Sequence, residues 1–263
     1  MRSLLRLTPF LPARPEPRST QRDSIPFVLD DGRRIAVLRV REPRARRIRL
    51  SVDERGARLT LPLRASLIAG DRFLHEHRDW LTRQLAVHAE TAIAPPERGE
   101  AGVLPLRGED LPLLWREGRY ARLTREDGGL VMQLPARAGE AAQRRAIRDF
   151  YEAEARGDVA RWLPKYLHAL PRAPAQIRFK VMSSQWGSLA PNATLALDLS
   201  LVLARPSAFE YVLVHELCHL IRADHSRAFW REVERRFPAW REERDYFHAE
   251  GRRIKAALRV LVG

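Results

Sequence analysis

The sequence predicts an α+β protein in which an antiparallel, β-rich N-terminal region precedes a mostly helical half carrying a cluster of histidines. Three observations lead there. Short runs of alternating apolar and polar residues, separated by Asp/Gly turns, fill the chain from Ile25 to Leu134. After Pro135 the apolar residues change to helical spacing. Near the C-terminus His215, Glu216 and His219 spell H-E-x-x-H, with a further histidine at His225.

Composition bounds the reading. With 263 residues, 45% of them hydrophobic and 30% charged, the chain can bury a sizeable core. No apolar run approaches the length of a membrane span, and the N-terminal stretch is too short and interrupted for a secretory signal. The single cysteine, Cys218, excludes an internal disulfide and fits a reducing compartment, so the expected location is the cytoplasm. The net charge is +14, and only Lys165, Lys180 and Lys255 are lysines. Such an arginine excess reflects either a polyanionic partner such as nucleic acid or the codon bias of a GC-rich genome. Residues 1–60 hold 15 arginines against 7 acidic residues, whereas residues 208–263 hold 11 basic against 9 acidic residues. The excess therefore lies away from the histidine motif.

Three regions follow in order. Residues 1–23, rich in proline and arginine, read as a flexible arm. Residues 24–138 form the β-rich region: Ile35–Val40, Arg47–Val52 and the alternation through Leu59 and Leu61 read as an antiparallel meander with one apolar face. The run Arg44, Arg46, Arg47 and Arg49 falls on its loop and outer face, as a solvated surface or as a phosphate-binding patch. Ser66 is positioned to cap a helix running to about His88, whose His75, His77 and His88 read as surface residues. Strands around Leu111–Trp115, Tyr120–Leu123 and Leu130–Leu134 resemble the first set in kind, without a convincing internal repeat. The third region, 139–263, opens with a helix through Ala146, Ile147, Phe150 and Trp162 that Pro164 is expected to kink or end. Strands at Ile177–Val181 and Leu195–Leu199 lead to the metal helix.

On an α-helix, positions i and i+4 share a face, so His215 and His219 can present two imidazoles to one ion with Glu216 beside them. That is the layout of a zinc hydrolase. Ser207 and Glu210 have capping-box spacing and are expected to start this helix. For His225 to become a third ligand the helix must end near Arg222 or Ala223 and turn back, with Asp224 as turn residue. Metzincin-type metalloproteases use this spacing with a glycine where the chain has Arg222, so the turn must be made differently here. The rival third ligands are Glu232, Glu234, Glu242 and Glu243 on the following helix. Ser226 is placed to cap that helix, with Phe229, Val233 and Phe237 on its packing face, and Cys218 reads as a small buried residue.

The segment from Gln185 to Ala190, followed by His215 to His219 and His225 to Trp230, resembles the YgjP-like metal-dependent hydrolases, relatives of the SprT-type metallopeptidases. Members carry an R-W-G-S-C-S element, then H-E-L-x-H, then H-S-x-x-F-W. Gln185 and Leu189 depart from the first of these, while Trp186, Gly187 and Ser188 keep it. The similarity is expected to run from about Ile35 to Phe247.

The resemblance implies a zincin-like domain in which His215, His219 and His225 hold Zn2+, or another divalent transition metal, and Glu216 is the general base. It also implies a substrate cleft beside Gln185, Trp186, Gly187 and Ser188, with Trp186 either lining the cleft or packing in the core. The expected activity is zinc-dependent hydrolysis of a peptide or protein. Two alternatives remain at this point: a metal-dependent pyrophosphohydrolase acting on a nucleoside triphosphate of the UTP type, and a DNA-associated protein or protease using the arginine-rich N-terminal region.

Overall fold

A computed structural model describes residues 20–53, 56–90 and 95–263. The chain forms two compact units, one ending at Glu90 and the other beginning after it. The expected arm lies largely outside the described residues, and its last positions already belong to a strand.

The first unit holds β1 (Gln21–Val28), β2 (Arg34–Glu42), β3 (Arg49–Asp53) and β4 (Gly56–Pro62), then α1 (Leu67–Glu76) and α2 (Arg78–Glu90). The sheet is not the expected meander. Its order is β1-β2-β4-β3, with β2 and β4 parallel and the other two pairs antiparallel. Burial explains the crossover: Ala57, Leu59 and Leu61 of β4 are buried and belong in the sheet interior. β3, with Arg49 and Ser51, tolerates an edge. The core is closed by Leu74 and Leu81 against Phe27, Val37 and the β4 leucines. Ser66 caps α1 as expected, accepting a hydrogen bond from Ala69 N at 3.1 Å. The expected single helix is divided at His77, where φ is −109°.

The second unit begins with β5 (Gly102–Leu106), β6 (Glu109–Glu117), β7 (Arg122–Glu126) and β8 (Gly129–Leu134), in the order β5-β6-β8-β7. Pairing directions repeat those of the first sheet, β6 and β8 being the parallel pair. Arg49, Leu50, Gly56, Leu61, Pro62, Arg64 and Ala65 recur at a constant offset as Arg122, Leu123, Gly129, Leu134, Pro135, Arg137 and Ala138. The two groups are thus copies of one topology, a repeat that alternation alone did not reveal. Leu130, Met132 and Leu134 share a buried cluster with Ile147, Phe150 and Tyr151 of α3 (Glu140–Leu167). A boundary near residue 138 therefore runs through one core. Pro164 does not end α3, because it sits within the last turn and forfeits a single hydrogen bond there.

A three-stranded sheet follows, ordered β10-β11-β9 from β9 (Gln176–Lys180), β10 (Gly187–Leu189) and β11 (Thr194–Asp198). β9 and β11 are parallel, and β10 lies antiparallel to β11 on the outer edge. A 3-10 turn at Leu199–Leu203 leads to α4 (Pro206–Cys218), α5 (Arg227–Arg236) and α6 (Trp240–Val262). Among the described residues no helix is long and apolar enough to cross a membrane.

Candidate metal centre and catalytic cleft

α4 is buried on nearly all sides: Phe209, Val212, Leu213, Leu217 and Cys218 are all core residues. A helix with so little solvent-facing surface is fixed in place by packing. It does not start with the expected capping box. Arg205 is the N-cap without a side-chain bond, and Pro206 occupies the first turn, where its missing N–H costs nothing. Glu210 instead accepts hydrogen bonds from Tyr166 Oη at 2.8 Å and Lys165 Nζ at 3.0 Å, tying α4 to α3.

Regular α-helix stops at Cys218, earlier than expected. Three successive i→i+3 bonds then tighten the chain: His219 N to Glu216 O, Leu220 N to Leu217 O, and Ile221 N to Cys218 O. Such a 3-10 exit makes the turn without glycine. Asp224 Oδ1 accepts from Ser226 N at 3.3 Å, and Ser226 Oγ accepts from Phe229 N at 3.4 Å, so the expected turn and cap both form. This path brings His225 back over the helix.

The outcome is a cluster of His215, His219 and His225 whose ligand atoms all lie within 4.8 Å of one another. His215 Nε2 and His225 Nε2 are 3.2 Å apart. Two nitrogens on a tetrahedral ion at zinc-like bond lengths would be separated by about 3.3 Å. His219 Nδ1 faces the Arg222 carbonyl at 3.0 Å. A carbonyl only accepts, so Nδ1 carries the proton and Nε2 keeps its lone pair. Burial, reinforced by His219 and His225, holds His215 at about 3, and burial lowers His219 as well. Both are therefore neutral near pH 7, the form that ligates metals. His215 Nδ1 is buried without a hydrogen-bond partner, so a metal on the other ring nitrogen would be what fixes its tautomer. The donor set fits a divalent ion.

Phe229, fully buried on α5, supports all three rings at centroid distances of 4.9, 4.5 and 4.9 Å. The rival glutamates point elsewhere. Glu232 pairs with Arg236, Glu234 with Arg241 and Glu243 with Arg205, and Glu242 does not join the histidine cluster.

Glu216 lies beside the cluster, 6% exposed. Burial pushes its carboxyl up to about 7. It packs against β10 so closely that a Cβ on Gly187 would lie 2.6 Å from its Cγ and 2.7 Å from its Oε1. Gly187 is thus required by close approach. Cys218 is buried and its thiol is pushed up to about 11, which suits an inert core residue.

These groups line a cavity of about 810 Å³ that also includes Gln185, Trp186, Gly187 and Ser188. Trp186 both lines the cleft and packs, with its ring 4.3 Å from Phe247 and 4.2 Å from Lys255 Nζ. Lys255 donates to Asp198 Oδ2 at 2.6 Å and to the Gln185 carbonyl at 2.9 Å, and Asp198 N donates to the Trp186 carbonyl at 2.8 Å. This buried pair straps the segment before β10 to α6 and β11. Tyr211, Arg244 and His248 complete the wall. Tyr211 lies four residues before His215 and was legible from helical spacing; no sequence signal marked the other two, or Lys255 and Asp198.

The YgjP-like, metallopeptidase domain family matches residues 46–250, close to the span expected from the motifs. Among solved structures, the metallopeptidase zymogen abylysin of Pyrococcus abyssi is 25% identical, covering 38% of this chain and 93% of its own at a TM-score of 0.31. No curated protein matches. The family model spans most of the chain, which therefore belongs to the YgjP-like metallopeptidase family and is a metal-dependent hydrolase.

Proposed function

We propose that the protein is a zinc-dependent peptidase of zincin type, with His215, His219 and His225 as ligands and Glu216 as general base. One observation carries this reading: three imidazoles converge within 4.8 Å beside a buried carboxylate, all facing one open cavity. Zinc, when bound, supplies Lewis acidity that polarises a carbonyl and brings the pKa of a water toward ~7. Glu216, held beside the three imidazoles and against β10, would be placed to accept a proton from the attacking water and pass it to a leaving amine. Phe229 holds the imidazoles in register, and the Arg222 carbonyl sets the tautomer of His219.

The edge position of β10 favours a peptide over a nucleotide. One side of β10 is paired with β11, and its other side offers backbone N–H and C=O groups beside Glu216, where an extended chain can add as a further strand. Gln185, Trp186, Gly187 and Ser188 are the proposed substrate-contacting residues, and the cytoplasm the proposed location, in keeping with a single reduced, buried cysteine.

The test is to load the protein with zinc and incubate it with casein and, separately, with uridine triphosphate. Casein cleavage abolished by Glu216→Gln is expected. Triphosphate hydrolysis lost in the same variant, with no proteolysis, would replace the peptidase reading by that of a pyrophosphohydrolase.

A further inference from the structure

A second concave site lies in the first unit, a cleft of about 570 Å³ between the β2–β3 turn and the faces of β3 and β4. Five guanidinium groups line it: Arg44, Arg46 and Arg47 from the turn, Arg49 from β3 and Arg58 from β4. Ser51 and Thr60 add hydroxyls, and Glu42 is the single carboxylate. The register places Arg49 opposite Thr60 and Ser51 opposite Arg58, so the two strand arginines lie diagonally within one patch.

Several other arginines of the same unit are held in ion pairs. Arg33 pairs with Asp31 at 2.7 Å, Arg72 with Glu76 at 3.1 Å and Arg83 with Asp79 at 2.5 Å, while Arg39 meets Asp23 and Asp71. Among the described residues none of the five cleft arginines has a carboxylate within ion-pair distance. Five like charges gathered in a concavity repel one another, and a ligand of opposite charge relieves that cost. Guanidinium forks favour phosphate oxygens, which they bind bidentately. No aromatic side chain lines the cleft, so it offers no platform for stacking an unpaired base. No large apolar side chain lines it either, so it lacks the group with which an interfacial anchor enters a bilayer.

We infer that this cleft, built from residues of the first unit alone, binds the phosphodiester backbone of duplex nucleic acid without reading its sequence. The inference does not depend on the peptidase reading, because binding can be measured without catalysis.

The experiment uses fluorescence anisotropy of the full chain with two labelled duplexes of unrelated sequence, the matching single strands, and phosphatidylserine vesicles as a competitor. Equal affinity for the two duplexes is expected, with a log–log salt slope of about −4 to −5 if all five arginines engage phosphates. Arg49→Gln with Arg58→Gln should weaken binding about a hundredfold near 50 mM salt and reduce the slope by about two, while Arg72→Gln with Arg83→Gln should change neither. Circular dichroism and a thermal melt check that each variant folds, and Glu216→Gln should bind as the wild type does. Absence of duplex binding at low salt would overturn the inference. So would wild-type affinity in a variant lacking all five arginines, preference for single strands, or preference for the vesicles.

Discussion

Gly187→Ala tests whether the position of Glu216, rather than its mere presence, sets the rate. The added Cβ would sit 2.6 Å from Glu216 Cγ, 2.7 Å from Oε1 and 2.9 Å from Cδ. Ordinary carbon contacts begin near ~3.5 Å, so one partner must move by about 1 Å. β10 is hydrogen-bonded to β11 and held by the Lys255–Asp198 strap, whereas Glu216 has a rotatable side chain, so the carboxylate should yield. A displacement of that size costs ~10²-fold in a positioned catalytic group. The histidines are untouched, and metal content should stay at one ion per chain. The assay is steady-state cleavage of a fluorogenic peptide derived from casein, alongside elemental analysis of the same sample. We expect kcat to fall about a hundredfold with KM little changed, the lower end of the ~10²–10⁴ that a general base contributes. A kcat within threefold of wild type, or a loss of activity that tracks a loss of metal, would refute the positioning argument.

His225→Ala should abolish metal binding in elemental analysis while Glu242→Ala leaves it intact; retained zinc in the histidine variant would return the third-ligand role to a glutamate. Lys255→Met strands Asp198 in the core and should cost ~3–5 kcal/mol in denaturant unfolding, and Asp198→Asn on top should recover part of it. Glu216 has a folded pKa raised above its unfolded value of 4.5 to about 7, so its favourable contribution is complete below 4.5 and is lost as pH rises through 7. Relative to wild type, metal-free Glu216→Gln should therefore gain on the order of 2–3 kcal/mol between about pH 4 and pH 8, read from paired denaturant melts. A gain independent of pH would place the effect outside this carboxyl.

The convergence of the three histidines was legible because its parts are local. His215, Glu216 and His219 lie within one helical turn and a half, and Asp224 and Ser226 are strong turn and cap residues whose effect needs no distant partner. Strand order was not, since the burial of β4 and β8 between their neighbours follows from packing over many residues. The constant offset between the two strand groups was the available signal, visible only when Leu61-Pro62 and Leu134-Pro135 are laid over each other. The capping box misled because two starts competed. Pro206 fixed the helix one position earlier, and that freed Glu210 to bind Tyr166 and Lys165. The strap formed by Lys255 and Asp198 joins residues far apart in sequence, and a lone lysine among arginines gives no hint of its partner.

Burial shifts Glu216 up and His215 and His219 down, tendencies that a bound metal ion would reconcile. The same dry surroundings that raise Glu216 to about 7 keep His215 neutral at any ordinary pH. Without an ion the site is most comfortable uncharged, with a protonated carboxyl packed on Gly187 and imidazoles crowded on Phe229. A divalent cation held by these residues would reverse the balance for the carboxylate, because its field favours the negative form that burial opposes. His215 and His219, kept neutral by burial, would bind such an ion without first losing protons. On the proposed reading the buried wall around α4 would be part of the chemistry, because its low-dielectric setting strengthens the pull of one ion on the Glu216 carboxyl.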